Sequence, residues 1–385
     1  MKFPSVAVFL AVLVFTMVSC ERDMVSLGRD DKSLQAISFS ASVMYRDADG
    51  WTKAPLWPES DDGSLAEGGV YGENGFGVFA TETGIHRYRD VTASPNFMCN
   101  QQVLSEDGAW GYTPVKYWPG EDSSRVSFFA YAPYSDGDSS SPSDNPAGYC
   151  IPSCSLPQDV GDPWILYYLH PEPDKQVDLL YAVPILDRTY ASVPADNRLT
   201  FAFKHALAVF GEVIQVDLTD ELKSELQSHV PSGFDKVELY LDSLTVTYWL
   251  TSKARLVLWN ADGQPNWQPV MSEDLLARRE MVLVQEPDTP MYVYDASGGG
   301  VPVENEVSYR LDDKAMLYIP LELDGYPQTA EFTTSLRAVM SNGGVTEEVW
   351  TSVQSSRLFL KTATSESNPE GKKMNVNLHI GNINH

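Results

Sequence analysis

Leu199-Thr-Phe-Ala-Phe-Lys-His-Ala-Leu-Ala-Val209 places Leu199, Phe201, Phe203, His205, Leu207 and Val209 on one side of an extended backbone. Successive side chains of a strand point to opposite faces, so this period of two marks a half-buried β-strand. The same period returns in Ile37, Phe39, Ala41, Val43 and Tyr45, which alternate with Ser38, Ser40, Ser42 and Met44. It returns again in Val126, Phe128, Ala130 and Ala132. Near the end, Met374, Val376, Leu378 and Ile380 oppose Asn375, Asn377 and His379. Further strands are predicted at 237–241, 244–250, 254–259, 280–285, 315–321, 331–340 and 357–361. Gly, Pro, Asn, Asp and Ser separate these runs, as turns require. Helical signals are few: Thr219 caps a short segment carrying Leu222 and Leu226, and Ser272-Glu-Asp-Leu-Leu276 is a second start. The chain is therefore predicted to be all-β, with few short helices. Two half-apolar sheets bury their faces against each other, which makes β-sandwiches the expected architecture.

The N-terminus reads differently. Lys2 precedes an uncharged apolar run from Val6 to Val18, and Met17-Val-Ser-Cys20 leads into Glu21-Arg-Asp23. This is a secretory signal, too short to span a membrane. Cleavage is expected between Ser19 and Cys20, with Cys20 lipidated, so residues 1–19 are the signal peptide and 20–36 a lipidated tether. About 365 residues remain, enough for two domains with their own cores. The polar stretch from Asp187 to Asn197, with Pro194, reads as the linker. The expected domains are 37–196 and 197–385. Residues 135–175, rich in Ser, Pro, Asp and Gly, read as a long surface excursion.

A net charge of -26 argues against nucleic acid and anionic membrane surfaces as partners. Three cysteines follow Cys20: Cys99, Cys150 and Cys154. Cys150 and Cys154 are a candidate disulfide, and no paired C-x-x-C or neighbouring His pair favours zinc. Asp47-Ala-Asp-Gly50 begins like a calcium loop but has Pro58 at the twelfth position, so it reads as a solvated turn. No nucleophile elbow, metal-binding His pair or phosphate loop is present, and neither catalytic residue, metal nor cofactor is expected. Ser297-Gly-Gly-Gly300 leads into Val-Pro and reads as a turn. His205 reads as a packed core histidine. Trp164, Trp259 and Trp267 are candidates for sugar stacking, weighed against the plainer reading that such rings fill the core.

Taken in order, several pieces resemble the fimbrillin-like superfamily of Bacteroidales, its minor-fimbrillin-like branch especially. They are the Cys20 lipobox, the strand Ile37–Val43, Val115-Lys-Tyr-Trp-Pro119, Val126–Pro133, Val177-Asp-Leu-Leu-Tyr-Ala182, Leu199–Ala208, Leu317-Tyr-Ile-Pro320 and Gly371–Leu378. The resemblance implies two transthyretin-like β-sandwiches in tandem and export as an outer-membrane lipoprotein of the cell surface. It also implies assembly by donor-strand exchange. A protease cuts after the first strand, and a strand from another fimbrial subunit fills the groove left behind. Arg46 is then the candidate cleavage site, and Ile37, Phe39, Ala41, Val43 and Tyr45 belong to the displaced strand. After the last strand, Gly381-Asn-Ile-Asn-His385 reaches about 17 Å and carries one sizeable apolar residue, Ile383. That favours a tip or accessory adhesive subunit, with a host or bacterial surface protein or glycan as ligand. The alternatives are a fimbrial anchor that keeps its lipid and a surface carbohydrate-binding lipoprotein of a glycan-uptake system. A glycosidase would instead require two convergent carboxylates in a cleft.

Overall fold

The computed structural model describes residues 35–43, 69–106, 108–120, 123–137, 146–193, 198–228, 230, 233–260, 265–270, 276–283, 289–305, 307–310, 316–321, 326–360 and 373–381. Three short helices, α1 (Gly69–Asn74), α2 (Pro146–Cys150) and α3 (Asp220–Ser228), accompany the strands. The strands before residue 206 are β1 (Ser38–Val43), β2 (Phe76–Gly84), β3 (Met98–Glu106), β4 (Ala109–Gly111), β5 (Arg125–Ala132), β6 (Ser153–Cys154), β7 (Trp164–Tyr168), β8 (Leu180–Ala182), β9 (Ile185–Arg188) and β10 (Arg198–His205). After it come β11 (Ala208–Leu218), β12 (Lys236–Thr251), β13 (Lys253–Val257), β14 (Asn266–Pro269), β15 (Leu276–Leu283), β16 (Tyr292–Asp295), β17 (Val303–Glu304), β18 (Val307–Arg310), β19 (Met316–Tyr318), β20 (Thr329–Asn342), β21 (Val345–Phe359) and β22 (Lys373–Ile380). The all-β expectation holds.

The alternation in Leu199–His205 appears as expected, with every second residue buried. It does not run on to Val209 as one strand. Ala206 to Phe210 are all buried, because here the chain leaves one sheet for another and is enclosed on both sides. β10 belongs to an eight-stranded sheet of order β1-β10-β8-β5-β2-β3-β4, with β9 beside β5. β11 pairs with β18 and β19 and, in parallel, with β22. A six-stranded sheet of order β17-β16-β12-β20-β21, with β15 beside β12, completes the C-terminal half. The change of sheet thus falls after His205.

β5 departs from its expected single buried face. Val126, Phe128, Ala130 and Ala132 face one apolar cluster, while Phe129 and Tyr131 face another. The first cluster lies within the N-terminal sheet, with Ile37, Phe39, Phe76, Trp118, Phe201 and Phe203. The second reaches from Phe79 and Tyr131 through Ile165 and Leu256 to Val246 and Leu336 in the C-terminal half. A strand covered on both faces reads as a continuous apolar run.

Residues 135–175 are not the surface excursion that their composition suggests. Cys150, Ile151, Ile165, Tyr167 and Leu169 are buried, and β6 and β7 form a four-stranded sheet with β13 and β14. β7 runs antiparallel to β13, from Lys253 opposite Tyr168 to Val257 opposite Trp164. This sheet draws on both sides of residue 206, and residues 36–385 form one compact unit. Among the helices, α3 is as predicted, with Leu222 N–H donating to Thr219 Oγ1 at 3.4 Å and Leu222 and Leu226 buried. The second predicted start lies largely outside the described residues, and its Leu276 opens β15 instead.

Candidate functional site: the first strand and its groove

Ile37 and Phe39 are 2% and 3% exposed, whereas Ser40 and Ala41 are half-buried. β1 lies at the end of its sheet and pairs in parallel with β10, from Ser38 opposite Arg198 to Val43 opposite Phe203. The serines between the apolar residues turn to the other face, where Ser40 Oγ meets Thr200 Oγ1 at 2.7 Å. Phe39 sits among rings: Phe201 at 5.5 Å, Phe128 at 5.9 Å edge-on and Tyr112 at 5.3 Å. The segment after β4 fixes the start of the strand. Ile37 N–H donates to Lys116 O at 2.9 Å, and Tyr112 O–H donates to Ile37 O at 2.8 Å. Burial pushes the Tyr112 phenol up to about 12, so it remains a donor at neutral pH.

Burying two such side chains contributes about 1.5–3 kcal/mol each. Without β1, Phe128, Phe201 and Tyr112 would face an empty groove and one backbone edge of β10 would lose its partners. A strand able to replace it must offer large apolar side chains at two alternate positions and a small one at the next. Val43 ends β1, and Tyr45 and Arg46 lie outside the described residues, as do Ser19 and Cys20.

The other sequence candidates are placed as follows. Cys99, Cys150 and Cys154, the last two the candidate disulfide, are all free thiols in this structure. The Cys150 thiol lies buried against the backbone of Val177 and His170, at the end of α2. Cys154 instead shares its surroundings with Cys99 and Asp159. His205 is buried and its Nδ1 pairs with the Asp178 carboxylate, which gives the core histidine its polar partner. Sequence reading found His205 but not Asp178, which lies in the Val177–Ala182 run without any spacing signal.

The tryptophans fill space. Trp259 and Trp267 are each 6% exposed, and Trp267 Nε1–H donates to Ala206 O at 3.2 Å. Arg89 lies over the Trp259 ring at 5.4 Å and Arg255 over Trp164 at 4.2 Å. These rings therefore offer no open pair of faces to a sugar. In the cleft beside Trp259, Tyr88 O–H donates to Asp162 Oδ1 at 3.0 Å, and burial raises the Asp162 carboxyl.

Comparison with known proteins agrees with this fold. The 62 residues most alike to the fimbrium subunit Fim1C of Phocaeicola vulgatus are 40% identical and span 16% of this chain and 16% of that relative's length. The crystal structure of a fimbrial protein from Bacteroides vulgatus ATCC 8482 superposes with a TM-score of 0.55 at 19% identity, covering 90% of this chain and 96% of that one. That likeness establishes the shared fold. The sequence model of the fimbrillin-like family matches residues 66–226, from before α1 into α3. The resemblance seen in the sequence is therefore supported over residues 66–226, which match the fimbrillin-like family.

Proposed function

We propose that this protein is a fimbrial subunit of the cell surface, exported as an outer-membrane lipoprotein on Cys20, and that its β1 position is refilled by a strand of another subunit. The observation that carries the reading is the seat of β1. It is an end strand, joined in parallel to β10, yet its Phe39 and the Ile37 just before it complete a closed apolar cluster. Such a strand is topologically free to leave but energetically hard to leave unreplaced. Arg46, three residues beyond Val43, is the proposed cleavage point. The tip or accessory adhesive placement belongs to the same proposal.

Limited trypsin digestion of the full chain, followed by intact mass measurement and size analysis, tests it. Cleavage after Arg46 is expected, followed by loss of β1. A synthetic peptide of the sequence Ile37 to Tyr45 is expected to bind the cut chain and not the uncut one. A chain that is cut elsewhere while Arg46 stays intact, or that binds no such peptide after losing β1, rules the mechanism out. The cut protein alone is expected to stay monomeric, since a tip subunit accepts a strand but donates none, and growth of oligomers from it would overturn the tip placement.

A further inference from the structure

Cys154 has a second cysteine in its surroundings besides Cys150, namely Cys99. Cys99 stands at the start of β3, where the register with β2 shifts between Val78 and Ala80. Asn100, the next residue, has φ +49°, an irregularity that re-aims neighbouring side chains. Asn100 is held there by Tyr131 O–H, which donates to its Oδ1 at 2.8 Å, and by its own Nδ2–H, which donates to Ser135 O at 2.8 Å. The Cys99 thiol donates to Ser155 O at 3.3 Å, so it lies against the residue that directly follows Cys154. Both cysteines are half-buried and pack on the same apolar cluster. Cys150, by contrast, is fully buried against the Val177 and His170 backbone.

We propose that Cys99 and Cys154 are a disulfide-forming pair, oxidised by a small-molecule or protein disulfide, and that Cys150 remains a thiol. In the reaction one of the two thiolates attacks a sulfur of the oxidant, forming a mixed disulfide and expelling one thiolate. The second cysteine then attacks the protein-bound sulfur and expels the other. The two S–H protons pass by way of solvent to the two expelled thiolates, one S–S bond forms in the protein, and the oxidant's S–S bond is reduced to two thiols. Burial, with Asp159 nearby, holds the Cys99 thiol up at about 11 and the Cys154 thiol up at about 12, so the pair is slow to react at neutral pH and faster in alkali. The bond would tie β3 of the N-terminal sheet to β6 of the sheet that both halves share.

The test is equilibration of the full chain with oxidised glutathione at alkaline pH, then alkylation and tryptic mapping without reductant. The expected product has lost about two mass units and joins the peptide containing Cys99 to the one containing Cys154. Because the second peptide also carries Cys150, the map is repeated with Cys150→Ser, which is expected to keep the link, and with Cys154→Ser, which is expected to lose it. Should either variant fail to fold, secondary digestion of the wild-type linked peptide between Cys150 and Cys154 assigns the bond. Alkylated Cys99 at equilibrium, a Cys150–Cys154 bond, or mixed glutathione disulfides without an internal bond would each overturn the assignment.

Discussion

Phe39 is the main apolar anchor of β1. It is 3% exposed and meets three rings, so truncation removes apolar contact and leaves a cavity. Phe39→Ala is expected to cost about 3–5 kcal/mol, read from urea unfolding. Ser40→Ala, on the other face, is expected to shift the midpoint far less. The cysteines give the protein an alkaline weakness. Cys99 and Cys150 titrate near 11 in the folded chain because burial disfavours their thiolates, whereas unfolded cysteines ionise from about 8.5. The unfolded chain therefore releases its protons first, and stability is full below about pH 8.5 and is lost as pH rises towards about 11. Urea midpoints should fall across that window, and iodoacetamide labelling of folded Cys99 should reach half its limit near pH 11. A flat midpoint would remove burial as the cause. At this scale much was legible from sequence. The buried set of β10 and the capping role of Thr219 follow from spacing alone. The Asn100 bulge and the Cys99 neighbourhood do not, since they depend on partners 31, 35 and 56 residues away.

Elements show where local pattern stops deciding. Leu199–Val209 keeps its period throughout, but the structure divides it, because the two sides of residue 206 enter different sheets. Alternation reports which side is apolar and is silent about where a sheet ends. Residues 135–175 mislead in the opposite way: turn-forming residues surround the short β7, whose Ile165 and Tyr167 are wholly buried. Backbone geometry sets firmer limits. Gly75 follows α1 with φ +65°, and a Cβ there would stand 2.0 Å from Val103 O. Gly75→Ala is expected to lose more than about 2 kcal/mol, since left-handed backbone and backbone collision add. Gly344→Ala, at φ +79° with no atom within 4 Å, should lose only about 1–2 kcal/mol. Comparing the two unfolding midpoints separates collision from conformation.

For the whole molecule, the sheet of β14-β13-β7-β6 decides how the halves behave. Leu169 N–H donates to Ser252 O at 2.8 Å and Leu258 N–H to Pro163 O at 2.8 Å, so the pairing extends past both ends of β7. The halves are expected to melt in one calorimetric transition. Leu256→Ala, in the buried centre of β13, should lower that single transition by an amount equivalent to about 2–5 kcal/mol rather than split it. Two resolved transitions would show that each half stands alone. Nothing in the local sequence foretells this sharing, because it pairs segments far apart in the chain. It also bears on time. A chain that emerges N-terminus first presents β6 and β7 well before Lys253 to Val257 exist to pair with them. Its early half must wait, with an unsatisfied margin, for its later half to arrive, and a nascent chain held at that stage is a natural client for chaperones.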